Sequence, residues 1–342
     1  MKRNKIQKPT QEQVELLRRT GSANRSEAMQ AMSELAKALQ IPLRSALLDG
    51  DILSGIFTPE VLDPSATAEY PLDLYQTANE GDYAAYMIPS EGALPQRTIS
   101  GDAVTVNTYD VGNAIDWPLK YSFSARWNIV ARAMEVLEAG FVTKMNTDGW
   151  RVILAAGAGR TDYAGGAPLV YDSAATAGQF TKRLVSLMKT TMTRLAGGNS
   201  ASLNRGKLTD LYLSPEAIED IREWDADEVD EVTRREIMTA EDSGGTLSRI
   251  YGVNLHPLDE LGEGYELQTY FDTLGLSMGT SDVEVVIGLD LSKDDSFVMP
   301  VKRELAIFED DTLHRRQKAG FYGWQEHGFA ALDGRRVLLG SF

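Results

Sequence analysis

The stretch from Ser124 to Ala156, SARWNIVARAMEVLEAGFVTKMNTDGWRVILAA, constrains this chain more than any other. Its large apolar residues, Trp127, Val130, Met134, Leu137, Phe141 and Met145, step by three or four, which is one stripe of a helix. Ile129, Ala133, Val136 and Gly140 widen the stripe, Ser124 is a candidate N-cap and Gly157 a candidate stop. At 1.5 Å per residue such a helix is about 45–50 Å long, well beyond the usual globular length. A helix of that length acts as a strut, and the rest of the chain must be arranged along it.

Composition narrows the class. The chain has 342 residues, 43% hydrophobic and 25% charged, enough to bury one large core or two to three modest ones. It holds no run of about 18 apolar residues, so no membrane-spanning helix is expected. The basic start MKRNKIQKPT has no apolar segment behind it and does not read as a signal peptide. There is no cysteine, so no disulfide or thiolate site, and three histidines (His256, His314, His327) leave little for a histidine metal cluster.

The net charge of −16 is unevenly spread. Residues 1–25 carry Lys2, Arg3, Lys5, Lys8, Arg18, Arg19 and Arg25 against Glu12 and Glu15, whereas residues 216–231 hold nine carboxylates against Arg222 alone. A basic arm on an acidic body suits contact with an anionic partner; a solvated tail accounts for it equally well.

Taken in order, residues 11–20 and 25–40 read as helices, the second capped by Ser26. Residues 43–75, punctuated by Pro59, Pro64 and Pro71, read as an extended arm with no core of its own. From Thr77 to Leu119 the period changes to two: Tyr83–Ile88, Ala103–Tyr109 and Ala114–Tyr121 are strand candidates around a Gly- and Pro-rich stretch, a long hairpin with little core. A second amphipathic helix follows at Phe180–Leu195. Lys207–Leu213 is a buried strand feeding Ser214-Pro215-Glu216, which places Ser at the N-cap, Pro at N1 and acid in the first turn. Thr246–Tyr251, Tyr265–Phe271 and Val283–Leu289 read as strands, making residues 208–290 a separate α/β lobe. Strands return at Phe297–Val301, Leu305–Glu309, Thr312–Tyr322 and Gly328–Leu332. The basic Arg315, Arg316 and Lys318 there follow the acidic Glu309, Asp310 and Asp311, a pairing that suits contact between copies of one chain.

The motifs of catalysis are missing. The Gly157-Ala-Gly159 element follows a helix and no strand, so it does not read as a dinucleotide loop. Asp225, Asp227 and Asp230 have calcium-like spacing, but Asp230 stands where an EF-hand loop needs its glycine. No nucleophile elbow, Walker loop or HExxH is present.

The order of arm, long hairpin, long helix, second helix, strand–SPEA–helix lobe and returning strands resembles the major capsid proteins of tailed bacteriophages, the Hong Kong ninety-seven type. The stretches that carry the resemblance are GDAVTVNTYDVGNAIDWPLKYSFSARWNIVARAMEVLEAGFVTKMNTDGW, LYLSPEAIEDI and HRRQKAGFYGWQEHGFAALDGRRV. It spans nearly the whole chain from residue 25 and implies an α+β capsid fold. Residues 1–75 would be the N-arm, 76–120 the E-loop, 121–207 with 291–342 the P-domain with its spine helix at 124–156, and 208–290 the A-domain.

The resemblance implies a structural protein and no enzyme: a subunit assembling with itself into hexamers and pentamers of an icosahedral head shell around double-stranded DNA. Its location would be the virion, after assembly in the host cytoplasm. Portal and scaffolding proteins, and in some shells a cement protein, would be partners; no cofactor or membrane would be. Lys2, Arg3, Lys5, Lys8, Arg18 and Arg19 would face the DNA. Tyr83, Tyr86, Ile88, Arg97 and Trp117 would make E-loop contacts between subunits, and Arg315, Arg316 and Lys318 would supply P-domain charges there. With only about 75 residues ahead of the E-loop, no long scaffolding extension is expected at the N-terminus. Some family members weld their shells by a bond between an E-loop Lys and a P-domain Asn. Residues 76–119 contain no lysine and the last asparagine is Asn254, so non-covalent contacts are expected here. The alternatives are a cellular encapsulin-like shell that carries cargo, and a soluble α/β enzyme with its site in the acidic lobe.

Overall fold

The apolar stripe folds as one 32-residue helix, Trp127–Ala158, in a computed structural model. The structure describes residues 11–20, 22, 24–35, 55–71, 103–123, 127–159, 169–176, 178–195, 206–224, 249–276, 284–292, 296–332 and 334–342. Met134, Leu137 and Phe141 are buried as their spacing predicts, and Trp150, Ile153 and Leu154 continue the buried line. Val136 departs from the expected stripe and is 60% exposed. Gly157 does not stop the helix but lies within it. Ser124 lies outside the described residues.

The chain forms two compact units, residues 1–68, 105–148 and 298–329 in one, and 69–104, 149–297 and 330–342 in the other. In the first, strands β1 (Thr58–Val61), β4 (Tyr109–Pro118), β10 (Phe297–Glu309) and β11 (Lys318–His327) line up in the order β1-β10-β11-β4. β1 runs parallel to β10, and β11 pairs antiparallel with both β10 and β4, the latter in unbroken register from Lys318↔Pro118 to His327↔Tyr109. β10 is one strand where two were expected; its register slips on either side of Arg303, so the apolar pattern breaks while the pairing continues. The expected strand Thr312–Tyr322 begins instead as a 3-10 turn, Asp311–Arg316.

The core of this unit joins Leu17, Met32 and Leu35 to Trp117, Met134, Leu137, Phe141, Ile307 and Phe321. The helices at 11–20 and 25–35 therefore bury apolar groups within their own chain. Asn24, not Ser26, starts the second: its Oδ1 accepts from Ser26 N at 3.2 Å, and its backbone carbonyl accepts from Ala28 N at 3.0 Å. Asn113 on β4 reaches the long helix at Gly140, where an added Cβ would stand 2.5 Å from Asn113 Nδ2.

The second unit is built on a six-stranded sheet of β5 (Leu169–Tyr171), β6 (Asp210–Leu213), β7 (Arg249–Ile250), β8 (Val253–Pro257), β9 (Val285–Leu289) and β13 (Val337–Ser341). The order is β5-β13-β9-β6-β8-β7. The helices Lys182–Leu195 and Pro215–Glu223 pack on it through Leu184, Val185, Met188, Ala217 and Ile221. Burying each of the larger side chains contributes roughly 1.5–3 kcal/mol. The unit thus takes in the second amphipathic helix and the last strand, so the expected lobe at 208–290 is not compact on its own.

One sequence expectation fails here, and one strand was not expected. Tyr265–Phe271 is not a strand; Glu266–Thr273 is a helix that buries Leu267, Gln268 and Phe271. Leu267 and Phe271 are four apart, a spacing that fits both periods, and Gln268 Oε1 settles it by accepting Val285 N of β9 at 3.1 Å. The missed strand β8 has only five residues and follows a tight hairpin at Tyr251 and Gly252, whose φ angles are 50° and 77°.

Candidate functional site

The residues expected at interfaces divide into three groups. Lys2, Arg3, Lys5 and Lys8, and Tyr83, Tyr86, Ile88 and Arg97, lie outside the described residues, as does the aspartate series 225–230. Arg18 is exposed on the Gln11–Thr20 helix, and Arg19 beside it stands 3.8 Å from both Glu27 and Glu34. Arg315 and Arg316 are exposed on the 3-10 turn. Lys318 is tied within its own chain, its Nζ 2.5 Å from Asp116 Oδ2. Trp117 requires a correction. It is 2% exposed, its ring 5.4 Å from that of Phe321, so it is a core residue and not a contact for a neighbour. A period-two reading identifies an apolar strand face, but which face is covered depends on the partner strand.

The sequence reading missed an aromatic file on the sheet of the first unit. Phe308 and Tyr322, both 40% exposed, stack at 5.5 Å, and Trp324 follows at 6.3 Å from Phe308. The Arg303 guanidinium lies 4.9 Å from the centre of the Trp324 ring and 3.6 Å from Glu326, which also accepts from Thr108 Oγ1 at 2.8 Å. Strand alternation puts Tyr322, Trp324 and Glu326 on one face while Phe321, Gly323 and Gln325 point inward. Only the antiparallel register brings Phe308 opposite Tyr322.

The acidic lobe holds two polar clusters. Ser214, the N-cap of the Pro215–Glu223 helix, accepts from Ala217 N and donates to Glu284 Oε2 at 2.5 Å. Burial pushes the Glu284 carboxyl above its usual range, assisted by the charges of Glu216 and Asp220. Asp220 itself accepts from Phe180 N at 2.7 Å, so this carboxylate closes a loop end. On the adjoining strands Asp210 Oδ1 takes hydrogen bonds from His256 Nε2 at 2.8 Å and Asn254 Nδ2 at 3.0 Å. Burial raises the Asp210 carboxyl, but bonds from His256, Asn254 and Thr209 outweigh it and hold the group below the usual carboxylate range. Tyr212 stacks on His256 at 4.9 Å and meets Trp150 edge-on at 4.8 Å, and burial raises its phenol. His256 and Asn254 thus both bond to Asp210. No group of three His, Asp or Glu among the described residues is placed to hold a metal. No described helix is long and apolar enough to cross a membrane.

The described residues form an α+β chain with a single long helix and sheets built from strands distant in sequence. No protein-family model and no curated protein matches the chain. Solved structures do. The Cyanophage Pam1 capsid asymmetric unit is similar at a TM-score of 0.54 and 11% identity, over 84% of this chain and 88% of that one. A chain of Microbacterium phage Oxtober96 is similar at 0.53 and 9%, over 86% and 90%, and one of Gordonia phage Cozz at 0.50 and 15%, over 83% of each. The likeness at such low identity is one of fold: the chain has the phage capsid fold of the Hong Kong ninety-seven type.

Proposed function

We propose that the protein is a major capsid subunit that assembles with itself into the icosahedral head shell of a tailed phage, and that its role is structural. One observation carries this: the fold likeness to the Pam1 capsid, which takes in 84% of this chain and 88% of that one. The exposed Phe308 and Tyr322 and the exposed Arg315 and Arg316 support it, since solvent-facing aromatic and guanidinium groups are the side chains enriched where proteins meet. The shell would hold double-stranded DNA and lie in the virion, with portal, scaffolding and cement proteins as its partners. Lys2, Arg3, Lys5, Lys8 and Arg18 would line the interior, where counterion release gives sequence-independent affinity for phosphates. The shell would be held by non-covalent contacts.

The test is to express the chain and image the product by electron microscopy. Closed, uniform shells are expected; a monodisperse monomer under all assembly conditions would overturn the reading. Particles isolated from a natural source should contain DNA. A protein cargo instead would point to a cellular shell.

A further inference from the structure

His327, the last residue of β11, is 1% exposed, and neither ring nitrogen has a hydrogen-bond partner among the described residues. Buried polar groups are ordinarily satisfied, so two open ring nitrogens on one residue need an explanation. The imidazole is walled by rings. Tyr109 lies 5.2 Å away and Phe329 5.3 Å away edge-on, and Phe329 in turn meets Phe57 at 5.0 Å. Phe57 immediately precedes β1, the edge strand of the sheet, and His327 pairs with Tyr109 on one side and Val301 on the other. The imidazole therefore sits at the end of β11 and the start of β4, opposite Val301 within β10, with the entry to β1 reached through Phe329 and Phe57.

The charges around it are few. From the long helix, Asp148 attracts a proton to the ring and Lys144 repels one. Asp148 is already engaged, accepting from Lys144 Nζ at 2.7 Å and Tyr109 Oη at 2.8 Å. Glu326 and Arg303 pair with each other on the opposite face of the sheet. Gly55, Ile56, Phe57 and Phe329 bring no charge, and β10 brings Val301.

We infer that the Phe57–Phe329–His327–Tyr109 corner is an acid-sensitive latch, closed over neutral His327 and released when the ring takes up a proton. An imidazolium in this corner has no acceptor, so its hydration must come from opening. Opening withdraws the ring support from Phe329, then from Phe57, and frees residues 55–61 at the sheet edge. Burial holds the folded-state pKa of His327 down to about 4 from 6.5. A histidine lowered in this way stabilises the closed form fully above the unfolded value and loses that contribution as pH falls from 6.5 toward 4. The device belongs to the subunit and does not depend on the proposed shell.

The test is hydrogen exchange of the full-length protein, corrected for intrinsic rates, at pH 7.5 and pH 5. The opening constant of residues 55–61 should rise about thirty-fold between the two, because linkage to the shifted imidazole fixes that factor. His327→Phe, which keeps an apolar ring in the corner, should abolish the rise. An equal rise in His327→Phe would overturn the inference. Should that variant fold poorly, the wild-type map decides: acid-driven exchange confined to residues 55–61 and the Tyr109 end of β4 supports the latch, and an equal rise in the distant strand β13 overturns it.

Discussion

Gly157 in the long helix lies against Leu339 of the last strand, so closely that an added Cβ would stand 2.7 Å from Leu339 Cγ and 3.0 Å from Val337 Cγ1. Both valine and leucine are fully buried, so neither can swing into solvent. The glycine is a packing device on the helix face. Gly157→Leu should lower stability by about 3 kcal/mol through overpacking, whereas Gly55→Ala, with nothing within 4 Å, should change little. Chemical denaturation of the two variants checks the contrast.

Ser214 serves two partners at once, and both lose it together. Ser214→Ala removes the N-cap bond, worth about 1 kcal/mol, and takes from Glu284 its short hydroxyl donor, leaving among the described residues only Glu263 N at 3.4 Å, a further loss of about 1–3 kcal/mol. Adding Glu284→Gln should recover part of the second loss, since a neutral amide is easier to bury. If the double variant loses as much as the two single changes added together, the side chains are uncoupled and Ser214 acts through its cap alone.

Arg336 and Asp290 form a buried ion pair, with side chains 4% and 0% exposed, and Lys207 N also donates to Asp290 at 2.9 Å. Arg336→Met would leave a carboxylate stranded in the core, at a cost of about 3–5 kcal/mol. The milder partner experiment replaces both residues with apolar ones and should cost distinctly less. Thermal unfolding of the single and double variants separates desolvation from attraction.

A fourth expectation concerns the assembled state. Residues 76–119 contain no lysine and the chain has no asparagine after Asn254. Boiled particles should therefore run as one band near 37.6 kDa on a denaturing gel. A ladder of multimers that survives boiling would show that covalent cross-links form.

Much of the architecture was legible in local chemistry. The three-to-four spacing of Met134, Leu137 and Phe141 predicts the long helix, and Ser214-Pro215-Glu216 predicts a helix start whose cap bond the structure contains. These signals act within a turn or two of the chain, so neighbouring residues alone determine them. Pairing across the sheet is different in kind. That Trp117 is core rests on Phe321, more than two hundred residues away, and that Phe308 faces Tyr322 rests on a register slip around Arg303. The segment 265–271 had a pattern compatible with both helix and strand, and Gln268 bonding to Val285 decided it. The last strand, β13, joins the second unit's sheet because β5 and β9 both pair with it. The sequence by itself determined the strongly periodic helices and the cap at Ser214. Only the tertiary structure decided which apolar faces were covered, because coverage is set by strands distant along the chain and not by neighbouring residues.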